Sequence, residues 1–246
     1  MNKSDLFTVV VPCKNEACRI GVLLQSLLGQ TIKPRQIIIA DANSTDGTIE
    51  KVESFKDTLP IRVIQGGLVG YGRNQGAKLV DTKYILFIDA DMSLDQVDLL
   101  EKTIDLMERK SLEMSTTNIG AIKGLAYNTT TIEYLMSSFV YGLNNFGQHL
   151  SRLINSPFST GAYMCITKKK FDDLGGFDEG LTFCEDYWLS KQIHRSKFGI
   201  VRGNKIYTSD RRFKKMGYWW MIKNFIKSYV NRNNREYFTK DFKYWV

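Results

Sequence analysis

Two aspartates one residue apart, Asp89 and Asp91, close the apolar run Tyr84-Ile85-Leu86-Phe87-Ile88. Side chains two apart on a strand share a face. The pair can therefore hold a hard divalent cation through carboxylate oxygens while phosphate oxygens complete its shell. That is chemistry for handling a diphosphate. Residue types alone leave the pattern weak, because 16 Asp among 246 residues give about one Asp-x-Asp by chance. A solvated strand end opening a turn is the plain alternative, and context has to decide.

The elements that must position these carboxylates show as an alternation. Short apolar runs at Phe7 to Val11, Gln36 to Ala40, Ile61 to Gln65 and Tyr84 to Ile88 read as strands with amphipathic segments between them. This predicts an α/β fold with a Rossmann-like, mostly parallel sheet flanked by helices. Ligands of such sheets sit at the carboxyl ends of strands, where Asp41 and Asp89 both fall. Asn43 to Thr48 and the capping-box pattern Ser93-Leu94-Asp95-Gln96 mark helix starts. After Lys110 the regularity weakens. Ile132, Leu135, Met136, Phe139, Val140 and Leu143 recur at helical spacing, which predicts a helix with its apolar stripe toward the core. Phe158 to Ile166 reads as a further strand, and Gly175-Gly176-Phe177-Asp178 as a turn.

Composition removes other chemistries. Four cysteines, Cys13, Cys18, Cys165 and Cys184, form no CxxC pair, and two histidines, His149 and His194, leave little material for a zinc site or a His-based triad. Gly70, Gly72 and Gly76 are spaced G-x-G-x-x-x-G and follow the third strand rather than the first, so no dinucleotide fingerprint is present, and no Walker-type loop occurs. No stretch reaches the roughly 18 apolar residues of a membrane span. Met1 to Phe7 is too polar and short for a signal peptide. A cytoplasmic location is the expectation, under which the sequons at Asn43 and Asn128 carry no meaning.

Charge is distributed unevenly. Residues 211 to 246 hold 10 Lys/Arg against 2 Asp/Glu, and residues 1 to 210 hold 24 against 24, so the net charge of +8 resides in the tail. The tail also carries 11 of the 30 aromatics, among them Trp219, Trp220 and Trp245. Trp219, Ile222, Phe225, Ile226, Tyr229 and Val230 share one helical face with Lys223, Lys227 and Arg232 off it. Such a helix suits the inner face of an anionic membrane as a peripheral contact; packing on the protein core is the alternative.

Motifs at the strand ends carry a resemblance. Val11-Pro12-Cys13-Lys14-Asn15-Glu16, Asp41-Ala42-Asn43-Ser44-Thr45-Asp46-Gly47-Thr48, Gly72-Arg73-Asn74-Gln75-Gly76, Asp89-Ala90-Asp91, Gly161-Ala162, Gly175-Gly176-Phe177-Asp178 and Glu185-Asp186 resemble, in order, the family 2 glycosyltransferases. The resemblance implies a GT-A fold and an inverting enzyme. Its donor would be a UDP-, GDP- or dTDP-linked sugar and its acceptor a glycan or lipid-linked hydroxyl. Pro12, Asn15, Glu16 and Asp41 would surround base and ribose. Asp89 and Asp91 would hold Mn2+ or Mg2+ and the diphosphate, and Gly161 would line the substrate. Arg73, near a helix start, can meet phosphate oxygens, and Asp41 can bond a base or ribose or else serve its turn.

The resemblance also makes Asp186 the general base beside Glu185. The helix dipole favours a first-turn carboxylate as the anion, fit to take a hydroxyl proton; an ordinary acidic first turn has the same residues. The family pattern continues with a second acidic residue, whereas here Tyr187-Trp188-Leu189 follows. Arg211 and Arg212 would close over the diphosphate, or else form a solvated or lipid-facing basic run. The expected division is a catalytic domain over residues 1 to 210, with a nucleotide-sugar half at 1 to 110 and an acceptor half at 111 to 210, followed by the extension 211 to 246. Two rivals stand beside this reading. A nucleotidyltransferase acting on a sugar phosphate would need a Gly-rich, Lys/Arg-bearing loop after the first strand, and none is present. A non-catalytic module binding membrane or nucleic acid is the other; no nucleic acid is expected.

Overall fold

The computed structural model describes residues 2 to 122 and 130 to 240. Trp245 and the sequon at Asn128 lie outside the described residues, as does the end of the extension. One eight-stranded sheet organises the chain: β1 Phe7–Cys13, β2 Gln36–Asp41, β3 Ile61–Gln65, β4 Tyr84–Ile88, β5 Met92–Ser93, β6 Met114–Ala121, β7 Tyr163–Thr167 and β8 Phe198–Thr208. Their order is β3-β2-β1-β4-β7-β6-β8-β5. The first four are mutually parallel, β7 runs antiparallel to both β4 and β6, β8 is parallel to β6, and β5 is antiparallel to β8. The parallel character expected from the alternation therefore belongs to the first half, and the second half is mixed.

Continuous apolar runs form the central strands because both faces are covered. Every residue of β4 is buried. On one face lie α1, Ala17–Leu28, with Ile20, Leu23, Leu24 and Leu27 inward, and α4, Leu99–Arg109, with Leu100, Ile104 and Met107 inward. The other face receives α3, Val69–Lys78. Its glycine pattern has a packing cause: a Cβ on Gly76 would stand 2.4 Å from Cγ1 of Val10, so only glycine lets this helix lie so close to β1. A short α2, Thr48–Glu53, follows the Asn43 to Thr48 turn.

Three expectations need correction. Ser93 does not cap a helix: it lies in β5, its hydroxyl bonds Asp95, and α4 begins later, at Leu99. The strand expected from Phe158 begins only at Tyr163. Ahead of it, the N–H groups of Phe158 and Ser159 donate to the hydroxyls of Ser151 and Ser190, which hold the segment off the sheet. Finally, α5, Thr131–Leu153, opens with the capping box Thr130–Glu133 but turns its apolar stripe outward. Its buried residues are Ser137, Gln148 and Ser151. The side-chain amide of Asn145 on this inner side exchanges two hydrogen bonds of 2.9 Å with the Ile119 backbone of β6.

The remaining helices are short: α6, Lys168–Asp173, α7, Glu185–Ser190, α8, Arg211–Met216, and α10, Arg235–Phe238, with the longer α9, Tyr218–Val230. No residue of α9 is buried. Among the described residues no helix is long and apolar enough to cross a membrane.

Candidate active site

The parallel order β2-β1-β4 places the chain reversal between β1 and β4, where α/β sheets open a crevice at their carboxyl ends. Pro12 sits near the end of β1, past the register shared with β4, so its missing N–H leaves no β4 partner unbonded. Asn15 then adopts φ 53°, a left-handed backbone that Asn tolerates. This turn docks on the loop after β2. The Asn15 N–H donates to Ser44 Oγ at 2.8 Å, the Thr45 N–H donates to Asn15 Oδ1 at 2.9 Å, and the Glu16 N–H donates to Thr48 Oγ1 at 2.8 Å. Asp41 fixes the same loop, accepting from the Ser44 N–H at 3.0 Å and the Ser44 hydroxyl at 2.5 Å. Its turn role is thus occupied, while the carboxylate remains half-exposed.

Glu16 leads from this loop to the Asp89-Asp91 pair. Arg211 Nη2 stands 2.6 Å from Glu16 Oε1 and 3.8 Å from Asp91 Oδ2. Burial, with the charge of Asp91 beside it, raises the Glu16 pKa, and Arg211 opposes that rise. The Asp91 carboxyl is likewise raised by burial, against the pull of Arg212 and Arg211. Two half-buried carboxylates facing each other under two guanidinium groups are a place where positive charge is wanted. Among the described residues no group of three His, Cys, Asp or Glu is arranged as a complete metal site. Asp89 and Asp91 supply two hard oxygen ligands, which fits Mn2+ or Mg2+ in the mode where substrate phosphates complete the shell.

Arg73 occupies a different place from the one its position in α3 suggested. It is 1% exposed, so it cannot reach a phosphate at the surface. Its Nη2 bonds Asp89 Oδ1 at 2.6 Å and its Nη1 bonds Glu185 Oε1, while the Phe177 ring lies 5.3 Å away. A buried guanidinium between two carboxylates satisfies charges that would be costly alone. Glu185, expected at the chemistry, is instead a buried partner of Arg73. Gly161 is forced by the same arrangement, since a Cβ there would lie 2.1 Å from Arg73 Nη2.

Asp186 hangs from this frame. Oδ2 accepts the Gly161 N–H at 2.6 Å and Oδ1 accepts the Tyr187 N–H at 2.7 Å. Its pKa is raised to about 7 by burial and by neighbouring Glu185, against the opposing effects of Arg73 and the two N–H groups. The helix dipole therefore does not decide its ionisation: α7 has six residues and starts from Cys184 at φ 56°. A carboxyl poised near neutrality is matched to proton transfer. The expected residues thus form one connected network, from Asp41 through Asn15 and Glu16 to Asp91, and from Asp89 through Arg73 and Glu185 to Asp186.

Sequence reasoning passed over Arg19, which pairs with Glu16 at 3.4 Å, and Asn74, whose amide bonds the backbone of Phe177 and the Glu179 carboxylate. Asn74 lay inside the quoted Gly72 to Gly76 motif, so a signal existed. A cavity of about 1290 Å3 lies elsewhere, among residues such as Lys102, Arg109, Arg152 and Arg202 at the opening end of β8. Strand register places Phe198 of that cavity beside Met114, at the far end of β6 and β8 from the carboxylates.

The family model described as glycosyl transferase family 2 matches residues 8–175, which spans β1 through α6. The chain belongs to glycosyl transferase family 2. Glu185 and Asp186 lie beyond the matched segment. This glycosyltransferase is 24% identical over 230 residues to the O-antigen chain rhamnosyltransferase WbaN of Salmonella anatum, covering 85% of this chain and 69% of the relative. It is 27% identical over 218 residues to the poly(ribitol-phosphate) beta-N-acetylglucosaminyltransferase TarS of Staphylococcus aureus, covering 84% of this chain but 36% of TarS. The solved structure of S. aureus TarS with UDP-GlcNAc superposes with a TM-score of 0.62 at 19% identity, over 83% of this chain and 58% of that one. The mannosyltransferase PcManGT of Pyrobaculum calidifontis, in complex with GDP-Man and Mn2+, gives 0.64 at 16%, over 92% and 66%. These likenesses show the GT-A-like fold.

Proposed function

We propose that this family 2 glycosyltransferase inverts configuration as it moves a sugar from a nucleoside-diphosphate-sugar to an acceptor hydroxyl, with Asp186 as general base. The observation that carries this is the buried Asp89–Arg73–Glu185 bridge, which ties the Asp89-Asp91 end of β4 to the helix bearing Asp186. Asp186 takes the acceptor proton. The freed oxygen attacks the anomeric carbon in line, forming the new glycosidic bond as the bond to the diphosphate oxygen breaks and that oxygen keeps the electron pair. Attack opposite the leaving group inverts the centre. Mn2+ or Mg2+ held by Asp91 with Asp89 would supply positive charge to the departing diphosphate. Arg211 and Arg212 face the same charge, and positioning provides much of the rate. Pro12, Asn15, Glu16 and Asp41 frame the base and ribose in this reading.

The nucleotide-sugar complexes of TarS and PcManGT support the donor class. The names of WbaN, an O-antigen chain rhamnosyltransferase, and TarS, a poly(ribitol-phosphate) beta-N-acetylglucosaminyltransferase, support a glycan acceptor, and the basic, aromatic composition of residues 211 to 246 supports a lipid-linked one at the cytoplasmic face of a membrane. A thermal-shift panel of UDP-, GDP- and dTDP-sugars with and without manganese tests this. Tight, selective binding raises stability, by about 2.7 kcal/mol at a hundredfold excess over Kd. One nucleotide should dominate, more strongly with manganese. No response to any of them overturns the donor reading.

A further inference from the structure

Helix α5 is built inside out. Its polar residue Asn145 bonds β6 and Gln148 and Ser151 are buried, while Ile132, Leu135, Phe139, Phe146 and Leu150 stand in solvent along one stripe, Phe139 62% exposed. Helix α9 lies beside it, joined by the Ser137 and Tyr218 hydroxyls 3.2 Å apart, and presents Trp219, Phe225, Ile226 and Val230, with Trp219 80% exposed. Of the nineteen large hydrophobic side chains exposed among the described residues, fourteen belong to these two helices and Ile154. An apolar surface so concentrated marks a contact surface rather than scatter.

Charge selects the occupant. Arg211 to Arg235 hold eight Lys/Arg and no Asp/Glu, and α5 adds only Glu133 as an acid. A twofold contact with a second copy would press these cations against themselves, which is costly. An anionic bilayer answers both features: the apolar side chains enter the acyl boundary, an exposed tryptophan sits at headgroup depth, and Lys223 and Lys227 meet lipid phosphates. We infer that the joined outer face of α5 and α9 docks on an anionic lipid surface. The face borders the site, because Phe225 packs on Phe158 (ring centroids 6.4 Å) and Phe158 on Tyr187 (6.1 Å), the residue after Asp186. Docking therefore sets the mouth of the site at the bilayer, where a lipid-linked acceptor is presented. That last step rests on the glycosyl-transfer reading; the lipid contact itself does not.

The test is cosedimentation of the full chain with vesicles of phosphatidylcholine alone or mixed with phosphatidylglycerol, at low and high salt. Binding should require the anionic lipid and weaken with salt. Lys223→Ala with Lys227→Ala should weaken it roughly 30-fold, at about fivefold per basic residue, and Phe139→Asp with Phe146→Asp by about a hundredfold or more. Both variants should keep the wild-type circular dichroism and nucleotide-sugar thermal shift. A chain that shows that thermal shift but ignores anionic vesicles overturns the inference. So does a wild-type dimer, seen by light scattering, that Phe139→Asp with Phe146→Asp turns into a monomer without any vesicle binding. Vesicle binding by a chain that responds to no nucleotide-sugar upholds the lipid surface and removes only the donor reading.

Discussion

Helices α1 and α5 repeat apolar residues with the same spacing and meet opposite surroundings. On α1, Ile20, Leu23, Leu24 and Leu27 are fully buried against the parallel strands; on α5, Leu135 and Phe139 face water. The difference lies on the other face of each helix. The opposite face of α1 carries nothing that seeks the sheet, whereas on α5 Gln148 is buried and Asn145 completes the hydrogen bonds of Ile119 in β6. Apolar spacing thus marks the face that will be dehydrated without saying by what. The same contrast separates the carboxylate network, where each charge has a fixed partner, from the α5–α9 face.

The largest effect expected falls on the network. Asp186→Asn removes the proton acceptor but keeps the shape, so turnover should fall by about 10²- to 10⁴-fold while the nucleotide-sugar thermal shift survives. Unchanged turnover would show that Asp186 is not the base. The pH dependence follows from the same group. Its folded pKa is raised from 3.8 to about 7. Below that value the base is protonated, so kcat/KM should drop about tenfold per pH unit on the acid side. For stability the sign is opposite: the contribution of the protonated carboxyl is full below 3.8 and is lost as pH rises through about 7. Asp186→Asn should flatten both profiles.

Next in size is a paired truncation across the two regions. Phe87 is buried against Phe171 and Phe177, with ring centroids 5.4 and 5.0 Å away. Phe87→Ala should cost about 3–5 kcal/mol, and Phe139→Ala on α5 no more than about 0.5 kcal/mol, measured by urea unfolding. Equal costs would mean that α5 is covered in solution and would break the contrast.

Much of this was readable in the residues. The four parallel strands were visible because buried strands are continuous apolar runs bounded by turns, and β3 and β4 have the ranges that patterning gave. The site loops were visible because Pro12, Asn15, Asp41 and Asp89 stand where those runs stop. Two things were hidden. The partner of Arg73 lies 112 residues away in Glu185, and no local pattern reveals that a guanidinium is buried rather than offered to phosphate. The outward turn of α5 depends on a polar pairing with β6 that periodicity does not record. Gly161 tests whether that hidden frame is rigid. Gly161→Ala drives a methyl into Arg73 and should cost about 1–3 kcal/mol. Gly142→Ala on α5, where nothing lies within 4 Å, should stabilise by up to about 1 kcal/mol through helix propensity. Opposite signs from one chemical change would separate the packed region from the open one.

A small effect on stability is expected from Arg211 as well, and it sharpens the contrast from the other side. Arg211 bridges Glu16 and Asp91, yet its side chain is 43% exposed, so water screens the pair. Exposed ion pairs contribute about 0.2–1 kcal/mol, and Arg211→Ala should leave the melting temperature within a few degrees. Donor affinity should respond more, because Glu16 and Asp91 would then face each other and the nucleotide diphosphate with one cation fewer. Calorimetric titration of the nucleotide-sugar identified by the thermal-shift panel, with manganese present, measures that loss. If stability falls further than donor affinity, Arg211 belongs with Arg73 as part of the frame. If affinity falls alone, the guanidinium serves the ligand, and the boundary between the rigid network and the working surface runs between Arg73 and Arg211.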